Sequence, residues 1–251
     1  LIAGRPNGQA VMLDIEDHVR LHELVEHADV VISLLPATMH PHVAAACLQH
    51  GTHLVTTSYV SPAMQQLDEQ ARERGLLFLN ECGLDPGIDH MSAMQLVDFV
   101  QDNGGSITSF KSFCGGLPAP AFNNNPWGYK FSWSPRGVLL AGLNSAEYRW
   151  NGLRSQIPGG KLFQHVSHLA IENISEFEYY PNRDSMRYAD LYGIGAAETV
   201  FRGTLRYPGW SETMQAVIDL DLLDDATRPE LQQQPIRDIL RRHLGGPSGT
   251  D

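Results

Sequence analysis

The first part of the chain alternates short runs of apolar residues with longer stretches of helical periodicity. Continuous apolar runs are typical of strands buried on both faces, and we predict strands at 10–14, 29–36, 53–57 and 76–79. Stretches with apolar residues on one helical face predict helices at 18–27, 39–50 and 61–74. Strands and helices that alternate at this spacing form parallel βαβ units. The pattern therefore predicts an α/β fold with a Rossmann-type parallel sheet.

A polar turn at residues 80–90 follows the last of these apolar runs. Its ionisable side chains are Glu81, Asp85, Asp89 and His90. Pro86 stands where the first turn of the next helix is expected. Ligands of open α/β sheets bind outside the carboxyl ends of the strands, so this turn is predicted to mark the binding end of the sheet. For Asp85 alone, a role as a helix cap remains an open alternative.

A different texture begins after residue 105. Strands are predicted at 107–114 and 201–207, and a strand that leads into a turn is predicted at 177–185. A long irregular segment rich in Gly, Pro and Asn occupies 115–126, and long loops in compact domains are often functional. We therefore predict a partial Rossmann-type domain at 1–86 and a mixed α+β substrate domain at 87–251, which is incomplete at its C-terminal end.

Composition narrows the class of partner. The net charge of -11, from 29 acidic and 18 basic side chains, argues against a nucleic-acid surface, which needs clustered Lys and Arg. The chain shows neither an apolar run of membrane-spanning length nor a secretory leader, so we expect no membrane partner and a cytoplasmic location. Small molecules or other proteins are the expected partners, and a homodimer is left open.

No metal site is expected. Three widely spaced cysteines, Cys47, Cys82 and Cys114, suggest neither a disulfide framework nor a zinc site. Four histidines flank the second helix without a recognised zinc spacing, and we interpret them as exposed or capping residues. They are His40, His42, His50 and His53.

The chain lacks the strand, Gly-x-Gly-x-x-Gly turn and helix with which a Rossmann domain normally opens. It also lacks an initiating Met, and it begins with Leu-Ile-Ala-Gly-Arg, which is typical of the end of a second strand. An Arg at that point accommodates the 2′-phosphate of NADP, although Arg5 is equally interpreted as a solvated terminal residue. We therefore interpret the sequence as a fragment that begins inside a nucleotide-binding domain and whose isolated residues bind NADP weakly or not at all.

The motifs together resemble the saccharopine dehydrogenase (NADP, L-glutamate-forming) family, also called saccharopine reductase. The segments that carry the resemblance are 29–36 with His40-Pro41, 57–62, 80–90, 114–120 with 128–134, 180–185 and 202–207. The resemblance implies an oxidoreductase that interconverts saccharopine with L-glutamate and 2-aminoadipate 6-semialdehyde by hydride transfer with NADP(H), in lysine metabolism. Two other readings stay open: a reductase of a related imine, such as a carboxylated polyamine precursor, and a noncatalytic binding or assembly protein of the same fold.

The resemblance also implies roles for individual residues. Those expected to contact NADP are Ala3, Gly4, Arg5, Asp14, Ile15, Leu35, Ser58, Gly87, Leu205 and Arg206. Those expected to bind substrate are Ser58, Tyr59, Asp85, Ser134, Arg183 and Ser185. Asp85 is the candidate for proton transfer, with Tyr59 and Cys114 as weaker candidates. Saccharopine carries three carboxylates, which suits the bidentate geometry of an Arg such as Arg183. The alternatives are a turn serine at Ser134, a surface salt bridge at Arg183 and ordinary strand positions at Leu205 and Arg206.

Overall fold

The computed structural model describes residues 6–224, 226–231 and 233–243. The chain divides into two compact units, Leu1–Met94 and Gln95–Asp251, and the division falls within a long helix, α5, at Ile88–Asp102. The domain boundary between residues 86 and 87 stays a prediction.

A three-stranded parallel sheet forms the centre of the first unit. Its strands, in the order β1-β2-β3, are β1 (Val30–Ser33), β2 (His53–Thr56) and β3 (Phe78–Leu79). Its helices are α1 (His18–Glu26), α2 (His40–His50), α3 (Pro62–Gln65) and α4 (Asp68–Glu73). This arrangement confirms the predicted α/β class and the parallel sheet.

Local sequence signals set the ends of these helices. Asp17 caps α1 by accepting a hydrogen bond from the backbone N–H of Arg20, and Ser61 caps α3 in the same way for Met64. Gly51 ends α2 in the left-handed conformation, with φ of 74°. The helix predicted at 61–74 is instead two short helices, because the N–H of Leu67 bonds to the carbonyl of Met64 and tightens the turn between them.

Two expectations about the first unit are wrong. Residues 10–14, all within the described part of the chain, form no strand, and the exposed Val11 and Met12 gain no burial that would favour one. The strands are not buried on both faces, since Ile32 is 65% exposed and Leu79 is 45% exposed. The other face packs against α1 and α2 around a small core that includes Leu21, Val43, Cys47 and Leu54.

A second sheet, largely antiparallel, forms the other unit. Its strands are β4 (Ser109–Cys114), β5 (Ala146–Trp150), β6 (Leu153–Ile157), β7 (Ser167–Ile171), β8 (Ser175–Pro181) and β9 (Thr199–Arg206). The order is β6-β5-β9-β8-β7, and β4 pairs in parallel with β9. Its helices are α6 (Pro135–Leu140), α7 (Arg187–Leu191), α8 (Trp210–Asp219) and α9 (Ile236–His243). Mixed α+β structure was predicted for this region.

Aromatic side chains dominate the core of the second unit. The ring of Tyr129 lies 4.8 Å from that of Trp210, and the ring of Phe163 lies 4.9 Å from that of Tyr180. Met214 on α8 is fully buried against this cluster. Among the described residues of both units, no helix combines the length and the apolar character needed to cross a membrane.

Candidate functional site

Polar side chains gather at the carboxyl ends of strands β1, β2 and β3, and of these only the turn at 80–90 was placed there by the sequence analysis. Ser33 ends β1, Ser58 follows β2, and the turn at 80–90 follows β3. The backbone N–H of Glu81 donates to the carbonyl of Ser58 over 3.1 Å, and that of Cys82 donates to the carbonyl of Thr56 over 2.9 Å. The loops that leave β2 and β3 are therefore bonded to each other.

Tyr59 and Asp85 form a direct pair across these two loops. The phenolic hydroxyl of Tyr59 donates to Oδ1 of Asp85 over 2.5 Å, and both residues are partly buried. Glu81 adds a second link, because its Oε1 accepts from the backbone N–H of Val60 at 3.0 Å and its Oε2 lies 3.1 Å from Nε2 of His90. A carboxylate and a phenol are thus held together at the end of the sheet, where proton transfer to or from a ligand is chemically feasible.

A tight backbone turn fixes the position of Asp85. The peptide bond between Asp85 and Pro86 is cis, and the N–H of Gly83 donates to the carbonyl of Pro86 over 2.8 Å. Gly87 has φ of 149°, and a Cβ there would lie 2.1 Å from the carbonyl oxygen of Gly83. Only glycine fits at position 87, which gives this predicted cofactor-binding residue a structural requirement as well.

His40 lies between two serines of this edge. Its Nδ1 is 2.9 Å from Oγ of Ser33 and its Nε2 is 2.8 Å from Oγ of Ser58. The side chain is 2% exposed, and burial lowers the pKa of the imidazole below its usual 6.5. The interpretation of His40 as an exposed or capping residue is therefore wrong, because the side chain turns inward beneath the loop after β2.

The remaining predicted cofactor residues of the first unit are placed less centrally. Ala3, Gly4 and Arg5 lie outside the described residues. Asp14 is exposed, and its Oδ1 accepts from the backbone N–H of Glu16 over 3.0 Å. Ile15 and Leu35 pack against the core of this unit. Their contacts with NADP stay predictions.

Three predicted substrate residues lie in the second unit. Ser134 caps α6, where its Oγ accepts from the N–H of Gly137 over 3.2 Å. Arg183 is exposed, with φ of 51°. Ser185 is 1% exposed, and its Oγ accepts from the N–H of Arg202 over 2.9 Å. Each serine thus has a structural hydrogen bond, while the substrate roles of the three residues stay predictions.

Arg206 is buried within an aromatic cage. Its guanidinium carbon lies 5.2 Å from the ring centres of Tyr129 and Trp210 and 5.8 Å from that of Tyr180. Burial raises the pKa of Tyr180, although the positive charge of Arg206 opposes that rise. Within the described part of the chain, Nε of Arg206, the hydroxyl of Tyr129 and Nε1 of Trp210 have no hydrogen-bond partner. Three buried donors so close together suit an acceptor-rich, anionic group.

Leu205 and Cys114 lie on the paired strands β9 and β4, next to Arg206 and Thr204. Leu205 is partly buried, and its backbone oxygen approaches Gly115 so closely that a Cβ there would lie 2.6 Å away. Cys114, at the end of β4, pairs with Thr204 in the register of the sheet.

Cys47 is fully buried in the first unit, and burial raises the pKa of its thiol to about 11. In contrast, Cys82 is exposed.

Sequence reasoning missed the two contacts that organise the edge of the first sheet. Ser33 and His40 were not considered as site residues, and the pairing of Glu81 with His90 was not anticipated. The order Ser33, Pro36, His40 places a polar residue at a strand end and another at the next helix start, which is a usable signal. Among residues 6–224, 226–231 and 233–243, no group of three or more His, Cys, Asp or Glu side chains is arranged to hold a metal ion.

Comparisons with known proteins cover nearly the whole chain. The profile of the saccharopine dehydrogenase NADP-binding domain matches residues 2–79, and that of the saccharopine dehydrogenase C-terminal domain matches residues 83–250. Saccharopine dehydrogenase [NADP(+), L-glutamate-forming] of Schizosaccharomyces pombe is 44% identical over 254 residues, which is 100% of this chain and 56% of that protein.

Two further relatives agree. Alpha-aminoadipic semialdehyde synthase, mitochondrial, of Rattus norvegicus is 45% identical over 216 residues, covering 86% of this chain and 23% of the relative. The solved structure of apo saccharopine dehydrogenase (L-Glu forming) from Saccharomyces cerevisiae superposes with a TM-score of 0.81 at 43% identity, covering 95% of this chain and 54% of that one. The chain therefore spans about half the length of the fungal proteins it matches.

Proposed function

Because the chain belongs to the saccharopine dehydrogenase family, we propose that the protein interconverts saccharopine with L-glutamate and 2-aminoadipate 6-semialdehyde, using NADP(H), as a step of lysine metabolism. The observation that carries the proposal is the Tyr59–Asp85 pair at the carboxyl ends of β2 and β3. It supplies a carboxylate and a phenol at the edge of the sheet where α/β folds bind their ligands.

The chemistry sets what the residues must do. Oxidation of saccharopine removes a hydride from the methylene carbon that joins the aminoadipate part of the molecule to the secondary nitrogen, and a proton from that nitrogen. The resulting imine is hydrolysed by water to glutamate and the aldehyde. NADP, when bound, accepts the hydride. Asp85 takes the proton from the substrate nitrogen, and Tyr59 holds the Asp85 carboxylate in place through its hydrogen bond.

The residues of the chain suit NADP and a polycarboxylate. Arg206 and its neighbouring buried donors match the charge of an anionic ligand, and we assign Arg206 and Leu205 to the cofactor. In the first unit, Ser58, Gly87, Leu35, Asp14 and Ile15 are assigned to NADP, together with residues 3–5. Ser58, Tyr59, Asp85, Ser134, Arg183 and Ser185 are assigned to substrate. Arg183 is an exposed residue, and the planar guanidinium of an Arg suits bidentate binding of a carboxylate.

The test is NADP-dependent oxidation of saccharopine by the full-length protein, followed as NADPH absorbance, with Arg183→Ala and Arg187→Ala compared. Turnover that falls at least tenfold in Arg183→Ala, as loss of a charge-assisted hydrogen bond of about 1.5–3 kcal/mol predicts, supports the proposal. The exposed Arg187 serves as the matched control. A folded protein that binds NADPH but leaves saccharopine unchanged favours reduction of a related imine. A protein that binds neither favours a noncatalytic role.

Location and assembly belong to the same proposal. We assign a cytoplasmic location and small molecules rather than nucleic acid or membrane as ligands, and a homodimer is left open. The net charge of -11 supports the exclusion of nucleic acid. The rat relative carries the word mitochondrial in its name, so fractionation of cells is the direct check on location. Light scattering of the full-length protein measures the assembly.

A further inference from the structure

Two hydrogen bonds link the side chains of Ser33, His40 and Ser58. Which group donates in each bond follows from the donors and acceptors that the three side chains possess. A neutral imidazole carries one N–H donor and one acceptor nitrogen, whereas a hydroxyl has one hydrogen and two lone pairs. His40 is neutral near pH 7, since it is buried and burial lowers the pKa of its imidazole. One of its two bonds to serine is therefore donated by the imidazole, and the other is accepted by it.

Ser33 decides which nitrogen carries the hydrogen. This serine is 4% exposed, and within the described part of the chain the only hydrogen-bond partner of its Oγ is Nδ1 of His40, at 2.9 Å. If Nδ1 carried the hydrogen, the hydroxyl hydrogen of Ser33 would be buried without an acceptor, which costs about 1–3 kcal/mol. The hydroxyl of Ser33 therefore donates to Nδ1, and the imidazole hydrogen resides on Nε2.

The consequence reaches Ser58. With its hydrogen on Nε2, His40 donates to Oγ of Ser58 over 2.8 Å. The Ser58 hydroxyl therefore accepts this bond and does not donate its own hydrogen to His40. Ser58 is only partly buried and stands at the carboxyl end of β2. Its hydroxyl hydrogen is thus available on the side where ligands bind, and donation from His40 strengthens it as a donor.

We propose that His40 is a positioning residue that directs the Ser58 hydroxyl hydrogen towards an acceptor oxygen of the bound ligand. That oxygen belongs either to a substrate carboxylate or to the carboxamide of nicotinamide, and both present the same chemistry to Ser58. The inference rests on the proposed function for its ligand. The direction of the hydrogen bonds from Ser33 to His40 and from His40 to Ser58 follows from the geometry of the ligand-free protein. His40 itself does not touch the ligand.

The direction is measured without turnover. Long-range ¹H–¹⁵N correlation spectra of the ¹⁵N-histidine-labelled full-length protein at pH 7.5 report which imidazole nitrogen is protonated, and the His40 signals are identified by their loss in His40→Gln. We expect a protonated Nε2 and an unprotonated Nδ1. A protonated Nδ1 overturns the proposal even if the enzyme is active. If saccharopine is not turned over, the proposed function fails while this spectrum still decides the direction.

A double-mutant cycle measures the action on the ligand. We expect His40→Leu and Ser58→Ala each to raise either KM for saccharopine or Kd for NADPH about tenfold, and the double variant to be no worse than Ser58→Ala alone. The constant that changes identifies the source of the oxygen. His40→Gln retains an N–H near the position of Nε2 and is expected to recover part of the loss. Effects of His40→Leu and Ser58→Ala that simply multiply show that His40 does not act through Ser58, and they overturn the proposal. Exposed His42 gives the control, His42→Gln.

Discussion

The hydroxyl of Tyr59 donates to Oδ1 of Asp85 over 2.5 Å and so joins the loop after β2 to the turn after β3. Tyr59 orients Asp85 but does not take over the proton transfer proposed for the Asp85 carboxylate. Loss of the carboxylate in Asp85→Asn removes the proposed proton acceptor, and we expect kcat to fall by about 10²- to 10⁴-fold. Loss of only the hydrogen bond in Tyr59→Phe is expected to lower kcat about tenfold.

Steady-state kinetics with saccharopine check this difference, with exposed Asp98→Asn as the control. Equal losses in Tyr59→Phe and Asp85→Asn would contradict the assignment, because they would make the phenol as essential as the carboxylate.

Gly87→Ala is expected to destabilise the first unit by at least about 2 kcal/mol. The new Cβ would lie 2.1 Å from the carbonyl of Gly83, in a turn whose backbone cannot yield without moving Asp85. Gly51→Ala is the matched control, because Gly51 also has positive φ but no atom within 4 Å of the added Cβ, so it carries only about 1 kcal/mol of backbone strain. Urea denaturation measures both, and equal losses would refute the steric explanation.

Arg206→Met is expected to leave the ligand-free protein as stable as the wild type or to stabilise it by about 1–4 kcal/mol. A buried charge is costly, and Arg206 is only 5% exposed. The same variant should bind NADPH at least tenfold more weakly, because the proposed cofactor site loses a cation.

Thermal unfolding with and without NADPH separates the two effects in the full-length protein. The control is Arg154→Met, which removes an exposed guanidinium that pairs with Glu147. If Arg206→Met lowers the thermal stability of the ligand-free protein but leaves the Kd for NADPH of the folded protein unchanged, the aromatic cage around Arg206 has a purely structural role.

Cys47 is expected to resist thiol reagents at pH 8 until the protein unfolds. Its side chain is fully buried, and a pKa of about 11 leaves about one thiolate in a thousand at that pH. Cys82 is exposed and should supply the fast phase of labelling, which Cys82→Ala removes. Mass spectrometry of the modified peptides identifies each site, and rapid labelling of Cys47 in the native protein would disprove its protection.

Acidification is expected to destabilise the first unit through His40. Burial lowers the pKa of His40 below 6.5 in the folded protein, so the unfolded chain binds the proton more tightly. The free energy of unfolding therefore rises with pH in this window, and stability is lost as the pH falls through 6.5 towards the folded pKa. The contribution is at most about 1.4 kcal/mol per pH unit.

Denaturation between pH 7.5 and 5.5 tests the sign. His40→Leu should flatten the slope, while exposed His42→Gln should retain it. An unchanged slope in His40→Leu would assign the acid sensitivity to other groups.

Sequence patterns located most elements because their signals are local. Gly51 ended the predicted second helix, and the strand predicted at 201–207 corresponds to β9. The strand expected at 10–14 failed because a strand needs a partner, which no window of local sequence reveals. The burial of His40 is also non-local, since it depends on serines at the ends of two separate strands. The turn at 80–90 was recognisable in advance, but the Tyr59–Asp85 bond needed the register of the sheet to bring the two loops together.

The central position of β9 also determines when the second sheet can be completed during synthesis of the protein. This strand pairs with β4, β5 and β8, yet it follows all three in the sequence. On a ribosome, the earlier strands emerge without the neighbour that joins them, and each presents open edges until residue 206 has left the exit tunnel. The sheet of the second unit is therefore completed late in the synthesis of that unit, after residue 206 has emerged.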